Sequence, residues 1–340
     1  MGNALLPLLL HSRPERKIFV LTRSPEIARC LANYNVTPIQ GDLTQDNLGL
    51  TQSVIESIKE SVTEVIHCAA DTRFRRSLEQ ARASNLEGTA RLLSLASQCK
   101  DLRRFAHVST VYVTGRDPGL AKEERLTNCH GFLNAYQQSK YEAEQIVFDA
   151  MPTIPATIYR LSSIVSDSLG HVRQHNYFHQ ILKLALWSPF PMIPGEGSAP
   201  LDLIASDWAA SALAALFEHY FSPGTVHHIC AGAAASMTIR ETLDWTFQLF
   251  NKRRNCQLVP PELVTLEEFD TYATNHLARG NGAAGGLLQV IKDFLPQLAI
   301  RQCFENRETL NYLSHAGLRY PPIREYYPRL VENSLKGLPT

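Results

Sequence analysis

The sequence predicts an α/β protein, a doubly wound parallel sheet followed by a smaller, mostly helical lobe. Three observations carry that prediction. Short apolar runs alternate with helical patterns from residue 17 to residue 161, the rhythm of a parallel sheet covered on both faces. Arg23, Asp42, Ala69 to Asp71, and Ser109 with Thr110 all fall at the ends of those runs, and ligands of open parallel sheets sit beyond the carboxyl ends of the strands. Finally, Tyr136 and Lys140 open a helical pattern one loop after the Ser109-Thr110 pair.

Taken in order, residues Ala4 to Leu10 favour a helix, which Pro7 restricts to a first turn or a kink. Lys17 to Thr22 is an apolar run suited to a buried parallel strand. Pro25 to Asn33 reads as a helix, Val36 to Gln40 as a strand closing in Gly41-Asp42-Leu43, and Leu50 to Ser61 as a helix. Glu64 to Ala70 is a strand ending in small residues, and Ser77 to Cys99 has the apolar spacing of one long helix. Phe105 to Val108 and Ala156 to Leu161 read as strands on either side of a helix from Tyr136 to Asp149. Beyond Ser166 the rhythm weakens. Asp207 to His219 reads as a helix and Thr225 to Ala231 as a strand rejoining the sheet, and the chain from Ile239 is mostly helical with a Gly/Ala-rich break at Gly280 to Gly286. These segments divide the chain into a nucleotide-binding domain, residues 1–232, and a substrate lobe, residues 233–340, with residues 170–200 contributing to the substrate pocket.

Composition narrows the function classes. Hydrophobic residues make up 44% of the 340 and charged residues 19%, which is the profile of a folded chain and not a disordered one. Lys plus Arg and Asp plus Glu are both 33, so nothing in the balance points to nucleic acid or an anionic membrane. No apolar stretch approaches a membrane span, and Met1 to Leu10 lacks the basic leader of a signal peptide. Gly2 is followed by Leu6, where a myristoylation signal wants Ser or Thr. The seven cysteines are scattered without a CxxC, as expected of reduced thiols in a cytoplasmic protein. His227-His228 sits within a strand pattern and does not read as a metal site.

The chemistry lies in Tyr136 and Lys140. Residues four apart share a helix face, so phenol and ammonium can converge on one point. A nearby cation favours the phenolate and lowers the Tyr pKa, which makes the phenol a usable proton donor or acceptor near neutral pH. A hydroxyl from Thr110 or Ser109 could hold a carbonyl oxygen beside it. This is the chemistry of carbonyl reduction or alcohol oxidation, with a nicotinamide exchanging the hydride.

Seven segments occur in an order that resembles the extended short-chain dehydrogenase/reductase superfamily: VLTRS, GDL, VIHCAAD, NLEGTARLL, HVSTVYVTG, AYQQSKYEAE and YRLSSIVSDSLG. The VST form and the Ser-Asp-Ser-Leu-Gly turn are similar to the branch of thioester reductase domains and fatty acyl-CoA reductases. The resemblance spans roughly residues 2 to 232. It implies a Rossmann-type fold and a role for each matching residue. Tyr136 is the general acid, Lys140 lowers its pKa and binds the nicotinamide ribose, and Thr110 orients the substrate oxygen with Ser109 as neighbour. Asn85 props up the active-site helix through water. Asp42 and Leu43 border the adenine, and Cys68, Ala69 and Ala70 line the cofactor. Arg23 occupies the place where NAD users tend to carry an acid. A guanidinium there suits a 2′-phosphate, so the expected cofactor is NADP(H), with NAD(H) the alternative.

The family pattern also opens with a strand and a GxxGxxG turn, and here Gly2 matches the last of those glycines. The expectation is an N-terminally truncated sheet that binds dinucleotide poorly and folds less stably than a version extended upstream. A smaller departure is Leu161, where the family often has Pro. The resemblance implies reduction of an acyl thioester, carried on coenzyme A or on a separate carrier protein, to an aldehyde or alcohol. Sugar-nucleotide epimerisation or dehydration, reduction of a free ketone or aldehyde, and a non-catalytic role are the alternatives.

Overall fold

The computed structural model describes residues 1–31, 35–187, 191–279 and 295–336. Helix α1 (Gly2–Ser12) leads into β1 (Phe19–Thr22), α2 (Pro25–Leu31), β2 (Thr37–Gln40), α3 (Gln52–Ser61) and β3 (Glu64–His67). Two helices, α4 (Leu78–Asn85) and α5 (Glu87–Ala96), precede β4 (Arg104–Thr110) and the short β5 (Gly119–Ala121). Then come α6 (Ala135–Ala150), β6 (Ala156–Leu161), β7 (Ser163–Ser166), α7 (Tyr177–Trp187), β8 (Met192–Pro194), β9 (Pro200–Leu201), β10 (Leu203–Ala205), α8 (Ser206–His219) and β11 (Val226–Ile229). The remainder holds β12 (Met237–Thr238), α9 (Ile239–Arg254), β13 (Glu262–Val264), α10 (Leu266–Arg279), β14 (Gln302–Phe304), α11 (Arg307–His315) and α12 (Ile323–Ser334).

The main sheet is parallel, in the order β11-β6-β4-β3, with His67 opposite His107 and Ser109 opposite Arg160. β1 and β2 form a separate parallel pair, Phe19 opposite Thr37. Every residue of β6 is buried, as is β4 beyond Arg104, whereas β1 and β2 are half-buried or exposed throughout. Leu5 and Leu9 of α1 join the principal core, together with Val108, Tyr159 and Leu213. That core also takes in Phe247, Leu313, Tyr327 and Leu330, so it draws on residues beyond position 232. A second core joins Ile181, Ile193 and Ala199 to Ile239, Leu243 and Phe269.

The expected single helix from Ser77 to Cys99 is divided at Leu86. Ser77 and Gln80 form a capping box at the start of α4. The Thr89 hydroxyl donates to the Asn85 carbonyl at 2.6 Å, and such back-bonding competes with the helical ladder and bends it. The strand from Glu64 ends at His67, leaving Cys68 to Ala70 outside the ladder, and β4 runs two residues further than Val108. The tail from Ile239 carries β13 and β14 between its helices. The Gly280 to Gly286 break lies outside the described residues, as do Ala32 and Asn33 at the end of the second expected helix. Among the described residues no helix is long and apolar enough to cross a membrane.

Candidate active site

Helix α6 carries the site, and its inward face is polar. Gln137, Ser139, Lys140 and Glu144 are all buried on it. A buried polar group needs a partner, and each of these has one. Gln137 donates to Gln297 at 2.7 Å. Ser139 accepts from Asn85 at 2.9 Å. Glu144 receives the Arg160 guanidinium, with Nε to Oε1 at 3.0 Å and Nη2 to Oε2 at 2.7 Å, and both side chains are fully shut off from solvent. Asn134 caps the helix by accepting from the Gln137 amide at 3.0 Å, which fixes the first turn where Tyr136 sits.

The half-buried Tyr136 phenol sits beside Thr110 at the end of β4. Desolvation pushes this phenol up to about 12, and the nearby Thr110 hydroxyl only partly opposes it. The depression of Tyr136 by Lys140, expected from their spacing, does not arise. The Lys140 ammonium turns inward, donating to the Val108 carbonyl at 2.9 Å and meeting His107 Nε2 at 3.2 Å. Burial brings Lys140 down to about 8, with Glu144 and Cys68 working against it. Thr110 also accepts from the Tyr112 amide at 3.3 Å, and Ser109 Oγ beside it is buried without a hydrogen-bond partner.

Asn85 clamps three segments. Its Oδ1 accepts from the Asp71 amide at 2.8 Å, and its Nδ2 donates to the Asp71 carbonyl at 3.0 Å and to Ser139. It therefore supports the helix directly, through Ser139. Sequence reasoning missed Phe74, whose ring stacks on Tyr136 at 5.6 Å and on Tyr177 at 5.7 Å between centroids. Tyr177 shares hydroxyl contacts with Ser163 and Tyr112, the last at 2.8 Å. Ser139 lies inside the AYQQSKYEAE segment, three residues after Tyr136 and so on its side of the helix. Phe74 stands in a run of arginines and carried no such signal.

The expected cofactor residues line the carboxyl ends of β1, β2 and β3. Ala69 and Ala70 are exposed and offer a shelf no taller than a methyl group. Gly2, at the start of α1, lies against Cys68: a Cβ built on it would meet the sulfur at 3.6 Å. Burial pushes the Cys68 thiol up. Burial opposes ionisation of Asp42, yet Thr44, which donates to it twice at 2.8 Å, and Arg23 hold its carboxyl below the ordinary range. The Arg23 guanidinium lies 3.9 Å from that carboxylate and is 67% exposed. The Leu43 carbonyl accepts from Arg91 at 3.3 Å, and the Leu43 side chain packs where Gly88 allows close approach. His227 and His228 are committed to Thr309 and to the Glu305 carbonyl.

Residues 1–213 match an NAD-binding family described as male sterility protein. The chain belongs to that family. The resemblance to the extended short-chain dehydrogenase/reductases, in the branch of fatty acyl-CoA and thioester reductases, is thereby borne out. A putative fatty acyl-CoA reductase, CG8303 of Drosophila melanogaster, is 26% identical over 261 residues, covering 61% of this chain and 48% of that protein. Fatty acyl-CoA reductase 1 of Gallus gallus is 35% identical over 134 residues, covering 33% of this chain and 26% of that one. The chain thus spans about half, or less, of the length of these relatives. The fold is that of the terminal R domain from the myxalamid PKS-NRPS biosynthetic pathway, with a TM-score of 0.78, 22% identity, and coverage of 100% of this chain and 90% of that one.

The residues present fit a dinucleotide. Lys140 has three N–H groups and only two are engaged, Ser109 Oγ is an unsatisfied buried hydroxyl, and the alanine shelf leaves the strand ends open.

Proposed function

We propose that this chain is an NADP(H)-dependent reductase that converts an acyl thioester into an aldehyde and a free thiol. The observation that carries the reading is a neutral, half-buried phenol, Tyr136, beside Thr110 and one helical turn from an ammonium with an uncommitted N–H. A nicotinamide held by these residues would supply the hydride. Tyr136, protonated throughout the neutral range, gives its proton to the carbonyl oxygen. The Thr110 hydroxyl holds that oxygen and afterwards donates to the phenolate. The resulting hemithioacetal breaks its carbon–sulfur bond as the sulfur leaves with a proton.

Lys140 would hold the nicotinamide ribose with its free N–H, and Asn85 keeps the helix in place through Ser139. Gly2, Cys68, Ala69, Ala70 and Ser109 would line the dinucleotide, with Asp42 and Leu43 at the adenine and Arg23 at a 2′-phosphate. The acyl group would arrive on coenzyme A or a carrier protein, and residues 233–340 with part of 170–200 would shape its pocket. A free aldehyde or ketone is the second reading, because a neutral phenol serves any carbonyl oxygen.

The test is loss of NADPH absorbance together with thiol release when the purified chain meets octanoyl-coenzyme A. Tyr136→Phe should slow it by about 10²–10⁴ with binding of NADPH retained. Reduction of octanal without thiol release would replace the thioester reading by the second one. NADPH binding with turnover of neither would leave a binding protein.

A further inference from the structure

Two histidines face each other beneath the site. His67 on β3 and His107 on β4 are cross-strand partners, both buried, with ring centroids 5.3 Å apart. Their outer contacts fix which nitrogen of each carries hydrogen. An ammonium only donates, so the 3.2 Å contact from Lys140 requires a bare His107 Nε2 and places its hydrogen on Nδ1. On the other side, Thr89 has a single hydroxyl hydrogen and gives it to the Asn85 carbonyl at 2.6 Å. Thr89 must therefore accept at its 2.8 Å contact with His67 Nε2, which puts the His67 hydrogen there.

The two rings are opposite tautomers. His107 Nδ1 is buried with no hydrogen-bond partner, and the neighbouring imidazole turns a bare Nδ1 to its surroundings. Burial, then the Lys140 charge, holds both rings neutral, His67 at about 3 and His107 well below its usual range. The other titratable groups around the ammonium are Cys68 and Glu144, and Glu144 is spent on Arg160.

We infer that His107 is a positioning residue for Lys140. Its bare Nε2, together with the Val108 carbonyl, draws two of the ammonium hydrogens inward and leaves the third to face the ligand. A protonated His107 would set two cations 3.2 Å apart and turn the ammonium away. This deepens the proposed function, since it rests on Lys140 being the cation that binds cofactor.

The first measurement is the long-range proton–nitrogen NMR spectrum of the chain labelled with ¹⁵N-histidine. The His107 signals, identified by their disappearance in His107→Gln, should be those of a neutral ring with hydrogen on Nδ1, and those lost in His67→Gln should show hydrogen on Nε2. The second is NADPH affinity as a function of pH. His107→Leu removes the acceptor, so affinity should fall about tenfold and its alkaline limb should move about one pH unit lower. In His107→Gln the amide oxygen can accept in place of Nε2, and affinity should stay within about twofold of the parent. A His107 ring with hydrogen on Nε2, or a folded His107→Leu with unchanged affinity and alkaline limb, overturns the inference. If His107→Leu does not fold, the spectrum and the glutamine variant decide. A parent chain that binds no NADPH would defeat the proposed function, while the spectrum would still judge His107.

Discussion

The four-stranded sheet and the β1–β2 pair handle charge in opposite ways. In the larger piece Arg160 and Glu144 meet with no exposure at all, and Lys140 is enclosed with His107 and the Val108 carbonyl. In the smaller piece Arg23 and Asp42 stand 3.9 Å apart, and Arg23 is mostly in water. Buried charges tolerate only one geometry, because any departure leaves an unpaired ion in a medium that solvates it poorly. Exposed charges tolerate many. The half that would carry the chemistry is thus fixed by the fold, and the half that would choose the cofactor is free to adjust to it.

The contrast breaks most sharply at Arg160. Arg160→Met should cost about 3–5 kcal/mol of stability, because Glu144 is left buried and alone. Adding Glu144→Leu should recover part of that loss, measured by urea unfolding of both variants; equal stability of parent and Arg160→Met would erase the distinction. Acid should act on the same half. Burial lowers His67 and His228 to about 3 and His227 to about 4. Their unfolded counterparts bind protons first, so stability is full above the ordinary histidine range near 6.5 and falls progressively as pH drops from there toward 3. The urea midpoint should therefore decline between pH 7 and 5, and a flat midpoint would contradict the neutral interior.

Thr110→Val should reduce thioester turnover by about 10²-fold with little change in unfolding, since one hydrogen bond to the reacting oxygen is lost. The smallest structural effect belongs to Arg23. Arg23→Ala should change stability by less than about 1 kcal/mol, yet lower the preference for NADPH over NADH about tenfold, read by titration with both. An unchanged preference would remove Arg23 from the cofactor site.

The same contrast explains what the sequence disclosed. Strand ends show in the alternation of apolar runs and turns, so β6 and α6 were placed to within a residue and Thr110, Tyr136 and Lys140 in their order. The direction of the Lys140 side chain was not legible. It depends on His107, 33 residues earlier, which from its own segment is one more residue of a buried strand. The helical pattern does not reveal that Glu144 is met inside by Arg160, 16 residues on. The break at Leu86 lies beside a single hydroxyl contact, Thr89 to the Asn85 carbonyl, that a helical pattern does not reveal. Phe74 belongs to a loop whose path is set by Asn85, a contact across 14 residues that no periodicity encodes.

That Asn85 clamp has a consequence in time as well as space. The Asp71 amide belongs to no helix or strand, yet it is held at 2.8 Å by a side chain that is itself 1% exposed. Its hydrogen can trade with solvent deuterium only when Asn85 lets go, which also frees Ser139 and the first turns of α6. One loop proton therefore keeps a clock for the whole site, slow while the constellation is assembled and fast each time it opens.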